Sequence, residues 1–331
     1  MDYQIIATLG PSSQAESAWR AMLAAGVTGF RLNTSHLSAA ELRAWLEGLG
    51  SFLAAQSPRP PLVLDLQGSK WRLGQFPARE LEAGQAVRLV YAATADDPEV
   101  LPVPHADFFQ AAAVSSDEIA LNDAKIYLKR EAVGHGTLRA TVLRGGLISA
   151  RKGLTYTAST YRVESICEAD QAVLAQTRPL AGIRYALSYV RDAEEMARYR
   201  RQIGPEAYLI AKIERPQAVE QASAVAASAN EVWLCRGDLG AELGLPAMAA
   251  ATHHFASLVK GLPVPALLAG QVFEHLTEHP LPTRSEVCAA YDALSHGYAG
   301  LVLSDETAIG LDPVEACRMA AIFRPYEVGR R

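Results

Sequence analysis

Short apolar, β-branched runs alternate with alanine-rich stretches of helical period along most of the chain. The runs predict strands at residues 4–8, 29–33, 62–67, 183–187, 208–213, 231–235, 264–268 and 301–304. Helical periodicity fills most of the gaps, at 38–52, 192–203, 216–227 and 247–260, and a last helix is expected at 313–323. The strand runs are apolar without strict alternation, as parallel strands buried on both faces require. Eight strand–helix units in this order predict an α/β fold, a (β/α)8 barrel, which occupies about 250 residues.

One stretch departs from that rhythm. Between about 74 and 160 there is no helical period beyond a short one near Ala106. The segments QAVRLVYA, DEIALND, KIYLKREAV and GTLRATVLRGG read as short strands joined by turns. The expected organisation is therefore a barrel built from 1–73 and 161–331, with a small all-β lid domain, 74–160, inserted after the third barrel strand.

Composition narrows the functional classes. The chain has 331 residues, 50% of them hydrophobic, and a formal net charge of −5 without long charged runs. A nucleic-acid-binding face needs clustered Lys and Arg, so no nucleic-acid partner is expected. Cys167, Cys235, Cys288 and Cys317 have no CxxC spacing and fit a reducing interior. The opening MDYQIIATLG lacks the basic and apolar regions of a signal peptide, and no apolar stretch is long enough to span a bilayer. These features predict a soluble cytoplasmic protein with no membrane partner.

Barrels of this kind carry their chemistry at the C-terminal ends of the strands. Five expected strands end there in polar sequence: RLNTSH, LDLQGSKWR, AKIERP, LCRGDLG and LSDET. Lys212 and Glu214 are two apart on a strand and leave the same face, either as a salt bridge closing the mouth or as part of a reactive site. Asp238 follows Gly237 at a helix start, where it either caps the helix or joins Glu214 as an oxygen ligand for Mg²⁺. Arg31, Asn33, Ser35 and His36 form another cluster, and Asp65 and Arg72 a further one. Two guanidinium groups near paired carboxylates suit a polyanionic substrate. His36 reads first as a capping or structural histidine, and His253 and His254 lack metal-ligand spacing. No Ser-His-Asp arrangement, Walker loop or GxGxxG is present.

Taken in order, IIATLGPSS, GFRLNTSH, LDLQGSKWRLG, AKIERP, LCRGDLGAELG, PTRSE and LSDETAIGLDPVEACRM resemble the signatures of pyruvate kinase, with IALNDAKI and ARKGL as weaker matches. The resemblance implies a barrel with a β-barrel lid and a cytoplasmic, glycolytic phosphotransferase. Its reaction would be Mg²⁺-dependent (or Mn²⁺-dependent) phosphoryl transfer between phosphoenolpyruvate, or a close analogue, and ADP. It assigns Lys212 to the phosphoryl group and the enolate oxygen, and Glu214 and Asp238 to the divalent metal. The backbone N–H groups of Gly237 and Asp238 would hold the substrate carboxylate. Arg31 and Arg72 would grip phosphate, with Asn33 and His36 beside the nucleotide and Lys152 and Asp123 reaching its phosphates from the lid.

The same resemblance exposes departures. The family's further C-terminal domain is not expected in this sequence, which leaves a homodimer through barrel helices as the expected assembly. Ala269-Gly270-Gln271 stands where the family has alanine, threonine and glutamine, so Gly270 removes a hydroxyl and suggests room beside the substrate. Asp305 replaces a glycine at the mouth. Members that need K⁺ carry glutamate at the place of Lys70, and threonine, lysine and threonine at the places of Leu66, Gln67 and Leu73. Here the Lys70 ammonium is expected to substitute for K⁺, surrounded by Asn33, Ser35 and Asp65, so that K⁺ is not required. Two other readings stay open: a paralogue using the same Mg²⁺-enolate site on another acid, as kinase or aldolase-type lyase, and a non-catalytic regulator that binds nucleotide or enolpyruvate.

Overall fold

The computed structural model describes residues 1–122, 124–157 and 166–324, apart from the side chain of His36. Its strands are β1 (Gln4–Thr8), β2 (Gly29–Asn33), β3 (Leu62–Leu66), β4 (Arg79–Leu81), β5 (Ala86–Val90), β6 (Val100–Pro102), β7 (Glu118–Leu121) and β8 (Ile126–Gly134). They continue with β9 (Thr137–Arg144), β10 (Gly146–Ile148), β11 (Leu154–Tyr156), β12 (Ile183–Leu187), β13 (Tyr208–Ile213), β14 (Glu231–Cys235), β15 (Ala266–Ala269) and β16 (Gly300–Leu303). Eight of these close a parallel barrel in the order β1-β16-β15-β14-β13-β12-β3-β2. The pairing of β3 with β12 seals it across the long insertion.

Strand parity sorts the barrel side chains. Ile6, Val63, Ala186, Ile210, Trp233, Leu267 and Val302, one from each of seven strands, pack together inside the barrel. Their neighbours, such as Ile5, Phe30, Leu64 and Leu209, face the surrounding helices. Because strand side chains alternate, an inward residue turns the side chain two positions later inward as well. Val63 thus places Asp65 inward, Ala186 places Ser188, and Ile210 places Lys212. The fold aims this polar set before any packing detail is considered.

The inserted segment forms a six-stranded sheet, β11-β7-β8-β9-β5-β6, beside a two-stranded pair of β10 and β4. It has its own core, in which Phe108 stacks on Tyr156 at 4.7 Å and Trp71 meets Phe108 edge-on at 5.3 Å. That core reaches back to Trp71 and Leu73. The single expected helix in this region is Ala106–Ala111, and the expected lid end at 160 lies outside the described residues.

Several elements differ from expectation: the strand expected at 62–67 ends at Leu66, and the helices expected at 38–52, 247–260 and 313–323 run Ala39–Ala54, Leu245–Leu258 and Pro313–Ala321. The strand expected at 264–268 begins at Ala266, because Pro263 and Pro265 have no N–H to give a ladder. The last barrel strand, expected at 301–304, runs one residue earlier, its ladder starting where Gln4 pairs with Gly300. The helix expected at 216–227 is two, Pro216–Glu220 and Ala222–Ala227, separated where Gln221 adopts φ −104°, ψ 22°. The break lets Ala218, Val219, Ala222, Val225 and Ala226 all stay buried. Among the described residues no helix is long and apolar enough to cross a membrane.

Candidate active site

The strand ends open into a cavity of about 790 Å³ whose walls include Arg31, Asn33, Asp65, Lys70, Arg72, Lys152, Lys212, Glu214, Gly237, Asp238 and Gly270. Lys212 is one of its lining residues. Its ammonium lies 3.0 Å from Ser188 Oγ, 3.2 Å from Asp65 and 2.9 Å from Glu214 Oε1. Burial disfavours its charge, but Asp65 and Glu214 outweigh that and hold its pKa above the usual lysine value. The lysine is therefore a fixed positive charge and not a proton donor near neutral pH.

Asp65 serves two cations at once. Arg31 donates to its Oδ2 through Nε at 2.8 Å and Nη2 at 2.5 Å, and Lys212 and Ser188 sit on Oδ1. Burial would raise this carboxyl, yet Lys212 and Arg31 hold it below the ordinary range. Arg31 also donates to Thr8 Oγ1 at 2.8 Å, which tilts its fork toward the first barrel strand.

Glu214 and Asp238 respond oppositely to their surroundings. Burial pushes Glu214 up to about 7, opposed by Lys212 and reinforced by Asp238. Burial acts on Asp238 too, but Lys70 and Lys212 hold it well below the usual carboxylate value. Glu214 Oε2 accepts from the Tyr189 backbone N–H at 2.7 Å. Its Oε1 faces Lys212 but accepts no aligned hydrogen bond, a buried oxygen with spare lone pairs. That free Glu214 oxygen, with Asp238 beside it, fits a divalent cation that prefers one or two carboxylates plus substrate oxygens. Among the described residues no set of three or more His, Cys, Asp or Glu side chains could hold a metal unaided.

The surroundings expected for Lys70 are corrected. Its ammonium is 2.5 Å from Asp238 and lies 5.7 Å from the centre of the Tyr189 ring. Asp65 is taken by Arg31, Ser188 and Lys212, and Asn33 uses its side-chain oxygen to cap the turn at Ser35 N, 3.3 Å away. The Ser35 hydroxyl is buried in that turn with no hydrogen-bond partner and does not line the cavity. The reason is reach. Gly68 turns the chain at φ +58°, and Asp170 fastens the Gln67 and Gly68 N–H groups at 2.9 and 2.8 Å. The lysine stem then runs across the mouth toward the helix Arg236–Leu243.

The space expected at Gly270 is corrected as well. Gly270 has φ +80°, and a Cβ there would lie 2.9 Å from Gly237 N and 3.0 Å from Arg236 N. Glycine is demanded by the backbone, whose carbonyl is gripped by the Arg236 guanidinium at 2.8 and 3.0 Å. Gly237 itself has open space beside its Cα. Arg72 lines the cavity, with Nη1 donating to the Arg151 carbonyl at 2.9 Å. Asp123 and the His36 side chain lie outside the described residues.

Sequence reasoning missed Ser188, Tyr189 and Asp170, and gave Arg236 no role. Ser188 was accessible through parity, two places after the inward Ala186. Tyr189 has a positive φ of 59°, which no propensity marks for an aromatic residue.

The fold and site together define a lidded (β/α)8 barrel protein whose mouth pairs carboxylates with fixed cations. A family model described as "Pyruvate kinase, barrel domain" matches residues 2–317. The chain belongs to that family. It is 32% identical over 316 residues to a pyruvate kinase of Methylorubrum extorquens, covering 95% of this chain and 66% of the relative. One from Agrobacterium vitis is 29% identical, covering 95% of this chain and 65% of its own length. A third, from Aeropyrum pernix, is 30% identical over 322 residues, 96% of this chain and 69% of the relative. The chain thus spans about two thirds of the length of the curated relatives it matches.

Proposed function

We propose that this protein catalyses phosphoryl transfer between phosphoenolpyruvate and ADP. The observation that carries the reading is Lys212, a buried ammonium set between Asp65, Ser188 and the Glu214 carboxylate. Phosphoryl transfer asks for positioning and charge neutralisation more than covalent chemistry. Lys212 meets the transferring group and the oxygen that becomes the enolate. Asp65 and Ser188 hold the ammonium so that no reorganisation is needed when charge develops.

Glu214 and Asp238 would hold Mg²⁺ or Mn²⁺, which would supply positive charge to the substrate's anionic oxygens. The N–H groups of Gly237 and Asp238, in the first turn of the helix and with open space beside Gly237, receive the substrate carboxylate. Arg31 and Arg72 orient phosphate, and Lys152 meets the nucleotide phosphates from the lid. Lys70 brings a unit of positive charge to Asp238 and the mouth, so K⁺ is not required. The backbone need for Gly270 removes the motive for a larger acid substrate.

Metal dependence tests the reading. Asp238→Asn keeps a partner for Lys70 but weakens the cation site, and should raise the Mg²⁺ concentration for half-maximal turnover at least ~10-fold. An unchanged Mg²⁺ profile contradicts the assignment.

A further inference from the structure

The helix Arg236–Leu243 carries two carboxylates on one face. Glu242 stands four residues after Asp238, so the two lie one turn apart. Like charges at that spacing repel; Glu242 is buried, only 1% exposed, and Asp238 is half-buried at the cavity mouth. Each has its own compensation. Asp238 has Lys70 at 2.5 Å. Glu242 Oε1 accepts a 2.7 Å hydrogen bond from Thr155 Oγ1, on lid strand β11.

The lid touches both arms of this arrangement. Gly153, two residues before Thr155, lies on the Lys70 stem so closely that a Cβ there would come within 2.6 Å of Cε. Residues two apart on extended chain face the same way. One face of the lid's return strand therefore rests on Lys70 through Gly153 and on Glu242 through Thr155. Backbone bonds from Leu73 N to Lys152 O at 2.9 Å and from Leu154 N to Trp71 O at 3.1 Å tie this strand to the segment carrying Lys70 and Arg72. A buried carboxylate is costly where an apolar side chain would pack, and what Glu242 gains is a strong, directional bond to the lid.

We propose that Glu242 is a positioning residue: through Thr155 it fixes the lid's return strand, and with it Lys152, against the helix turn that presents Gly237 and Asp238. The kinetic meaning of this coupling rests on the phosphoryl-transfer function proposed above, whereas its physical meaning does not. The test uses the full chain with Thr155→Val and Thr155→Ser. Hydrogen exchange without ligand is followed in residues 152–156 and 236–240, and initial rates are taken with phosphoenolpyruvate, ADP and Mg²⁺. Thr155→Val should speed exchange in both segments together, by ~10-fold. It should also raise KM for ADP by ~10-fold while KM for phosphoenolpyruvate moves less than about 3-fold. Thr155→Ser should restore both readouts. If the wild type turns over neither substrate, the phosphotransferase reading fails and the exchange arm alone decides the coupling. Thr155→Val with wild-type exchange at 236–240, or defects that Thr155→Ser does not restore, would overturn it. Should Thr155→Val not fold, Glu242→Ala serves: faster exchange across the contact at 152–156 supports the coupling, and a rise confined to its own helix refutes it.

Discussion

Burying an ammonium beside a carboxylate is tolerable only when the two meet closely, and Lys70 and Asp238 do so at 2.5 Å. The consequence is a positive charge delivered to the mouth by the chain itself. Wild-type turnover should therefore change less than about 2-fold on adding K⁺, while Lys70→Glu should lose at least ~100-fold without K⁺ and recover part of it when K⁺ is supplied. A wild-type enzyme silent until K⁺ is added contradicts this. Gly270 carries the second prediction at this scale. Its φ of +80° and the 2.9 Å approach to Gly237 N mean that Gly270→Ala should cost ~1–3 kcal/mol in urea denaturation. It should also lower kcat/KM by displacing the Gly237 N–H. A neutral effect on both would show that the turn can relax. Lys70 and Gly270 were both marked in the sequence, yet Lys70's partner was not. A side chain's residue type shows its charge, whereas its direction depends on the Gly68 turn and the Asp170 clamp, 102 residues away in sequence.

At the scale of elements, β1, β2, β12, β13 and β14 were legible to the residue, because runs buried on both faces have sharp polar ends. Parity also showed that Lys212 and Glu214 leave one face of their strand, while the inward direction of Asp65 and Lys212 follows from Val63 and Ile210 inside the barrel. Less legible were ends set by hydrogen bonding, such as the late start of β15 after two prolines. The short helix Asp305–Ala308 shows another such tie. Glu306 accepts from Phe273 N at 3.3 Å and Ser304 N at 2.8 Å, binding the loops after β15 and β16 together. Burial pushes its carboxyl up to about 7, against hydrogen bonds from its own backbone N–H and those of Ser304 and Phe273. Folding thus favours the protonated form. That contribution is full below the unfolded value and is lost as pH rises through about 7. Between pH 5 and 8 wild-type stability should fall relative to Glu306→Gln by up to ~3 kcal/mol, read from urea midpoints. Parallel pH profiles for the two proteins would show that Glu306 does not titrate on unfolding.

For the whole molecule, the alternation of apolar runs disclosed the barrel and the inserted sheet, since each arises from local periodicity. What joins them was not legible. The contacts of Thr155 with Glu242 and of Lys70 with Asp238 span 87 and 168 residues, and no local pattern reports a pairing at such separation. Those long-range ties bring a lid strand and a barrel helix onto one cavity, in which Lys212 is the fixed charge about which the other groups are arranged. Replacing it by methionine, which keeps much of the stem, tests the account most directly. With phosphoenolpyruvate, ADP and Mg²⁺, the wild-type chain should form pyruvate in a Mg²⁺-dependent manner. Folded Lys212→Met should be slower by ~1,000-fold or more. Absence of pyruvate formation by the wild type, or a Lys212→Met variant within about tenfold of it, would contradict the account.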